Sequence, residues 1–251
     1  MDAKLEIRIV AVPQRKAGVE YLKKRLNTDV SVYYDFHKIG CINNCLRAWG
    51  EPCKPETTHL AVLQDDIDVI DNFKTIVERI GSNFENAIIS VCEWSLKESD
   101  KKDGTPYVLM KRPNLKGQGI IMPVKYKDAF IRFYHSNLEG YPHDDASIRM
   151  FSFMNDIPVI GTIPALGQHL GYADSAISKT HNAHNELSRI SKVWAGHNPV
   201  ANGDAKDDVL SRAFSLNTHL RKDHPLQIKI DEKERAKIYE NRVSQNIRFK
   251  D

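Results

Sequence analysis

The chain has 251 residues, 41% of them hydrophobic and 27% charged, a balance that allows a real core and excludes collagen-like, disordered and disulfide-scaffold classes. Its 36 Lys and Arg against 33 Asp and Glu leave a formal +3, too little by itself to require a nucleic-acid partner. No apolar run approaches the roughly 18 residues of a membrane span. Charge in Met1-Asp2-Ala3-Lys4-Leu5-Glu6 falls where an export signal needs apolar residues, so the expected location is the cytoplasm. Cys41, Cys45, Cys53 and Cys92 are then expected as reduced thiols. Cys41 and Cys45 stand one helical turn apart, half of a zinc ligand set, but no second Cys/His pair follows at finger-like spacing.

Along the chain, Ile7-Arg8-Ile9-Val10-Ala11-Val12, closed by Pro13, reads as a first strand ending in a turn. Val19, Leu22 and Leu26 at helical spacing predict an amphipathic helix over 15–27. Asp29 to Phe36 is a second strand, Gly40 to Trp49 a second helical pattern, and His59-Leu60-Ala61-Val62-Leu63 an apolar strand expected to be covered on both faces. Val69 to Ile80 reads as a helix stopped by Gly81. Ala87 to Cys92 is the next strand. Strands alternating with helices predict an α/β fold with a mostly parallel, Rossmann-like central sheet flanked by helices. Ligands in such sheets lie beyond the carboxyl ends of the strands, which directs attention to Pro13-Gln14-Arg15, Asp35 to Lys38 and Gln64-Asp65-Asp66.

Beyond these, Gly117-Gln118-Gly119 leads into a strand at Ile120-Ile121-Met122-Pro123, followed by a helix from Lys125 to Tyr134. A helix from Asp144 to Met154 is expected to be capped by the Asp144 carboxylate. A strand-like Val159-Ile160-Gly161-Thr162-Ile163 follows. Helical pieces are expected near 180–194, 207–221 and 231–246, so residues 1–178 form one α/β domain and 179–251 a mostly helical extension packed on it. From Lys97 to Arg132 nine basic residues face four acidic ones, a local excess that can meet an anion or form an ordinary solvated surface.

The sharpest chemical feature is Leu63-Gln64-Asp65-Asp66. Two carboxylates at the exit of a buried strand repel unless a cation joins them, and a divalent metal is the economical one. On spacing alone, a helix cap at Asp65 or Asp66 with Asp68 and Asp71 in water fits as well. His169, in a glycine-flanked turn after a strand-like segment, is a candidate further ligand if it meets the acidic strand end in the same sheet. In His143-Asp144-Asp145, with Asp144 as the cap, Asp145 is left to face a cleft as a general base.

Together, the Pro-x-Arg turn after the first strand, the aspartate after the second, the strand closing in Leu-Gln-Asp-Asp, the acidic pair opening a later helix and the Pro-x-x-x-Gln-His turn resemble a GT-A type glycosyltransferase over roughly residues 5–178. That resemblance implies a GT-A-like fold, a nucleotide-sugar donor, expected to be a UDP-sugar, and a bound Mn²⁺ or Mg²⁺. It implies Asp66 and His169 as metal ligands, with Asp65 on the ribose or metal side. Val12, Pro13 and Arg15 are implied to lie beside the nucleotide, Asp35 near its base, and Asp145 to be the acceptor base of an inverting enzyme. Gln64 stands where many members carry the first acid of an Asp-x-Asp motif. Lys111, Arg112 or Lys179 are candidates to hold phosphate charge.

The acceptor is not named by these motifs. Compact size and the Gly-Gln-His-Leu-Gly ending resemble bacteriophage enzymes that glycosylate hydroxymethylated pyrimidines, implying double-stranded DNA as acceptor and a host-cytoplasm location. The segment 206–251, with eleven basic and eight acidic residues, suits phosphate contacts or an amphipathic helix on the core. Trp94, Tyr107, Tyr141 or Trp194 would line the path of a base, or serve as core. A glycan, a lipid-linked precursor or a small molecule are the other acceptors. A nucleotidyltransferase shares the paired carboxylates, but Pro13-Gln14-Arg15-Lys16-Ala17-Gly18 is a poor match to its glycine-rich loop; a non-catalytic nucleotide-binding module is the remaining class.

Overall fold

The computed structural model describes residues 2–92, 107–109 and 115–169. The helices expected within 179–251, and with them the domain division, fall outside these residues, as do Trp94, Lys111, Arg112, Lys179 and Trp194. The strands are β1 (Leu5–Ala11), β2 (Ser31–Tyr34), β3 (His59–Gln64), β4 (Ile67–Val69), β5 (Ile88–Ser90), β6 (Tyr107–Leu109), β7 (Gly119–Pro123), β8 (Val159–Thr162) and β9 (Gly167–His169). The helices are α1 (Lys16–Leu26), α2 (Cys41–Gly50), α3 (Phe73–Asn83), α4 (Val124–Asn137) and α5 (Asp144–Met154).

A seven-stranded sheet in the order β2-β1-β3-β7-β5-β8-β6 forms the centre. Strands β1, β2, β3, β5 and β8 share one direction, while β7, between β3 and β5, and β6, at the edge, run against them. The architecture is therefore α/β with a mostly parallel sheet flanked by helices. Strand alternation sorts the side chains onto two faces. Leu5, Ile7, Ile9 and Ala11 of β1 join Ala61 and Leu63 of β3 against Val19, Leu22 and Leu26 of α1 and Phe73, Val77 and Ile80 of α3. Val10, Leu60 and Val62 point the other way, into a core with Ile42, Cys45 and Trp49 of α2, Phe130 of α4, and Ile148 and Phe151 of α5. Cover on both faces is why β3 is apolar at nearly every position.

Arg8 lies on the α2 face of β1 and is only 1% exposed. Its guanidinium donates to the carbonyls of Ala48 at 2.5 Å, Glu51 at 2.9 Å and Pro52 at 2.7 Å, and pairs with Glu6. It thereby satisfies carbonyls left open where α2 ends.

Three sequence expectations are corrected around residue 67. The helix expected from Val69 starts at Phe73 and runs through Gly81 to Asn83, because Ile67-Asp68-Val69 is a strand. Its partner is Gly167-Gln168-His169, paired antiparallel with Ile67 opposite His169, where the sequence suggested only a turn. A β-carbon on Gly167 would lie 2.5 Å from Ile67 Cδ1, so any larger residue there would have to displace the fully buried Ile67 side chain. Asp68 does not face water: it is fully buried, 3.4 Å from Arg25 Nε and 3.2 Å from the Tyr21 hydroxyl. Among the described residues no helix is long and apolar enough to cross a membrane.

Candidate functional site

From β1 the chain passes through α1 to β2 on one side, while β3 lies on the other side of β1. The carboxyl ends of β1 and β3 therefore flank a topological switch point, where an open α/β sheet leaves a ligand-sized crevice. Two hydrogen bonds lace these ends together: Asp65 N–H donates to Val10 O at 3.1 Å, and Val12 N–H donates to Asp65 Oδ2 at 2.9 Å. Pro13 opens the short turn that carries Arg15 back over them. Arg15 Nη1 then lies 2.8 Å from Asp65 Oδ1 and 3.1 Å from Asp66 Oδ2.

A guanidinium thus joins the acidic pair, the task the sequence assigned to a metal. Arg15 is 9%, Asp65 4% and Asp66 9% exposed, so these charges meet in a poorly screened place. Burial alone would make the Arg15 cation less favourable, but Asp66 and Asp65 more than offset that and raise its pKa. For Asp65, burial is the larger influence, aided by the Asp66 charge, and outweighs Arg15 and the Val12 N–H to push the carboxyl up to about 6.

His169 reaches Asp66 from the second sheet, not from the same sheet as the sequence suggested. Register in β4–β9 sets it opposite Ile67, one residue beyond Asp66, with its Nε2 3.5 Å from Asp66 Oδ2. Neighbouring donors on an octahedral Mn²⁺ or Mg²⁺, at roughly 2.0–2.2 Å from the ion, stand about 3.0 Å apart, so the pair would close by about half an ångström around one. The carboxylate suits Mn²⁺ or Mg²⁺, and the imidazole nitrogen inclines the pair toward Mn²⁺. The donor chemistry suits the ion that the sequence resemblance implies, but Arg15 Nη1 already lies 3.1 Å from the same Asp66 oxygen, and the Asp66–His169 pair is not joined by a third Asp, Glu, His or Cys donor among the described residues.

The other expected residues divide. Val12 and Pro13, both half-buried, border the crevice. Asp35 follows β2, its N–H donating to Ala11 O at 2.8 Å. Its two carboxylate oxygens accept from the N–H groups of Ile39 at 2.8 Å and Gly40 at 3.0 Å, so it shapes the loop entering α2. Gln64 continues the Leu60–Val62 face of β3 and turns away from Arg15. Its Nε2 donates to Asp144 Oδ2 at 3.3 Å and lies 3.7 Å from Cys41 Sγ.

Helix α5 begins at Asp144, as expected, but His143 occupies the cap position and no side chain caps the helix. The Asp144 carboxylate turns inward instead, accepting from Cys45 Sγ at 3.3 Å as well as from Gln64. Burial, then the neighbouring Asp145 charge, pushes Asp144 up to about 6. Asp145 stays half-exposed, its Oδ1 2.7 Å from the N–H of Ala146. A β-carbon on Gly117 would lie 2.9 Å from both Asp144 Oδ1 and Gln64 Nε2, so a glycine backbone closes this second cluster.

Cys41, Cys45 and Asp144 have their donor atoms within 4.8 Å of one another. The Cys41/Cys45 spacing was visible in the sequence, but its third member comes from α5, and only helix packing brings it there. Of the basic segment 97–132, Lys116 and Lys127 are buried, Lys127 pairs with Asp128 at 2.7 Å, and Lys125 bonds Asn86. Tyr141 is partly exposed, its ring tilted edge-on to His143.

No family model matches the chain, and no curated protein matches it. Among solved structures, A197 from STIV matches with a TM-score of 0.38 at 9% identity, over 65% of this chain and 85% of that one, a likeness too loose to bear on the site.

Proposed function

We propose that the chain is a metal-dependent, inverting glycosyltransferase of GT-A type that takes its sugar from a nucleotide-sugar, a UDP-sugar first among them. The observation that carries this reading is the meeting of Arg15, Asp65, Asp66 and His169 at the carboxyl ends of β1 and β3. A pyrophosphate laid in that crevice would meet a guanidinium and a carboxylate–imidazole pair suited to a divalent ion.

Each residue then has a task that its surroundings support. Asp65 ties Arg15 to the Val12 backbone, so the guanidinium is held in place before any ligand arrives, and fixed charge stabilises a departing diphosphate better than mobile charge. Asp66 and His169 would hold Mn²⁺ or Mg²⁺, which when bound supplies further positive charge beside the leaving diphosphate. Val12 and Pro13 form the wall along which the nucleotide lies, and Asp35 fixes the loop beside it. Asp144 is committed to Cys45 and Gln64. Asp145, its half-exposed neighbour, is the carboxylate of that pair open to an acceptor hydroxyl, and we assign it the role of base.

For the acceptor, the sequence resemblance to phage enzymes puts hydroxymethylated pyrimidine in double-stranded DNA first. The test is incubation with each UDP-sugar and Mn²⁺, with and without hydroxymethylated duplex, following release of UDP and labelling of DNA. Metal-dependent UDP release is expected, and Asp145→Asn should slow transfer by about 10²- to 10⁴-fold while sparing donor binding. UDP release without labelling, or DNA binding insensitive to salt, moves the acceptor to a glycan, lipid-linked precursor or small molecule. Pyrophosphate release from a nucleoside triphosphate would make the chain a nucleotidyltransferase, and silence with every nucleotide-sugar overturns the transferase reading.

A further inference from the structure

On the opposite face of β3 from Arg15 lies a cluster that the proposed transfer does not use. Cys41 and Cys45, one turn apart, present both sulfurs on the side of α2 that packs against the sheet and α5, and the α5 helix start brings Asp144 to them. Cys45 is fully buried, Asp144 is 9% exposed, and Cys41 is partly open to solvent. The donors to the Asp144 carboxylate are the Cys45 thiol, the Gln64 amide and the backbone N–H groups at its own helix start, none of them a cation. A buried carboxylate facing two thiols has a large desolvation cost. The contact to Cys41, then burial, push the Cys45 thiol up, and the nearby Asp144 charge adds to them. Arg15 answers the same need on the other face of the strand; here the group that would answer it is a thiophilic cation.

We infer that Cys41, Cys45 and Asp144 form a binding site for Zn²⁺, with solvent as the fourth ligand on the Cys41 side. Two thiolates and a carboxylate are a ligand set zinc accepts, at about 2.3 Å to sulfur and 2.0–2.2 Å to oxygen. A tetrahedron of those bonds has edges of about 3.5 Å, and the present Cys45 Sγ–Asp144 Oδ2 distance is 3.3 Å. On binding, each thiol gives its proton to solvent as a Zn–S bond forms. Gln64 Nε2, between Asp144 and Cys41, orients both as an outer partner, and Gly117 leaves the room its side chain needs. The ion would tie the starts of α2 and α5 to the end of β3, directly behind Asp65.

The test uses the full chain, stripped with chelator and kept reduced, titrated with Co²⁺ and then displaced by Zn²⁺. A thiolate-to-cobalt charge-transfer band, saturating at one ion per chain and removed by zinc, is expected. An ion held by Asp66 and His169 has no sulfur donor and gives no such band. Cys41→Ser, Cys45→Ala and Asp144→Asn should each weaken binding at least about 100-fold, the upper end of what loss of an outer partner costs; Cys53→Ser should leave it unchanged. If Cys45→Ala does not fold, Cys41→Ser, at a partly exposed position, and Asp144→Asn carry the test. The site is overturned by absence of the band in the parent chain, or by unchanged affinity in Cys41→Ser or Asp144→Asn.

Discussion

Asp144→Asn in metal-free protein tests whether the buried carboxylate lacks a compensating cation. The Asp144 carboxyl is pushed from 3.8 up to about 6 by burial and by Asp145. That is roughly two pKa units, or about 3 kcal/mol against the ionised form at neutral pH and above. The sign follows from linkage: with the folded value above the unfolded one, the native chain binds the extra proton between about pH 4 and 6, and the stability it brings is lost as pH rises through that window. An amide of the same shape carries no charge to desolvate, but it accepts less well from Cys45 and Gln64, so the net gain should be about 1–3 kcal/mol. Urea denaturation of both proteins with chelator present, at about pH 4, 6 and 8, reads the difference. Asn should gain on Asp as pH rises and level off above the folded value. A variant less stable than the parent at about pH 8, or a difference that ignores pH, would show that the Asp144 charge is already compensated in the metal-free chain. With saturating zinc the order should reverse, since only the parent keeps all three ligands.

Arg15→Met removes the guanidinium from between Asp65 and Asp66 and should cost about 3–5 kcal/mol at about pH 8, since two buried carboxylates then face each other. The loss should shrink as pH falls and Asp65, already pushed up by burial, takes a proton; equal losses at about pH 8 and pH 5 in denaturant melts would contradict the assigned pairing. Gly117→Ala places a β-carbon 2.9 Å from Asp144 Oδ1 and Gln64 Nε2 and should destabilise by about 1–3 kcal/mol through overpacking. An unchanged urea midpoint would show that the cluster yields easily.

What the sequence made legible was local. Strands β1 and β3 and helix α1 were readable because a β-branched run closed by proline, an unbroken apolar run and 3.6-residue spacing lie within each segment. Asp65, Asp66 and Arg15 stood out because they follow strand ends, and the parallel pairing of β1 with β3 gathers them. Strand β4 was not legible: Ile67-Asp68-Val69 is too short to show a period, and its partner lies near residue 168. The same missing pair hid how His169 reaches Asp66. Asp144 read as a cap because an aspartate before a helical run most often is one. Only the packing of α5 beside α2 turns its carboxylate toward Cys45.

On the proposed reading, the Arg15–Asp65–Asp66–His169 constellation binds a nucleotide diphosphate together with a divalent ion. Thermal shift of the full chain with nucleoside diphosphates and UDP-sugars, each with and without Mn²⁺, tests it directly, because a ligand confined to the native state raises apparent stability by about 2.7 kcal/mol at a hundredfold excess over its Kd. A shift that needs Mn²⁺ in the parent chain and vanishes in Asp66→Asn is the predicted result. A shift with no nucleotide, or one that Asp66→Asn leaves intact, would contradict it.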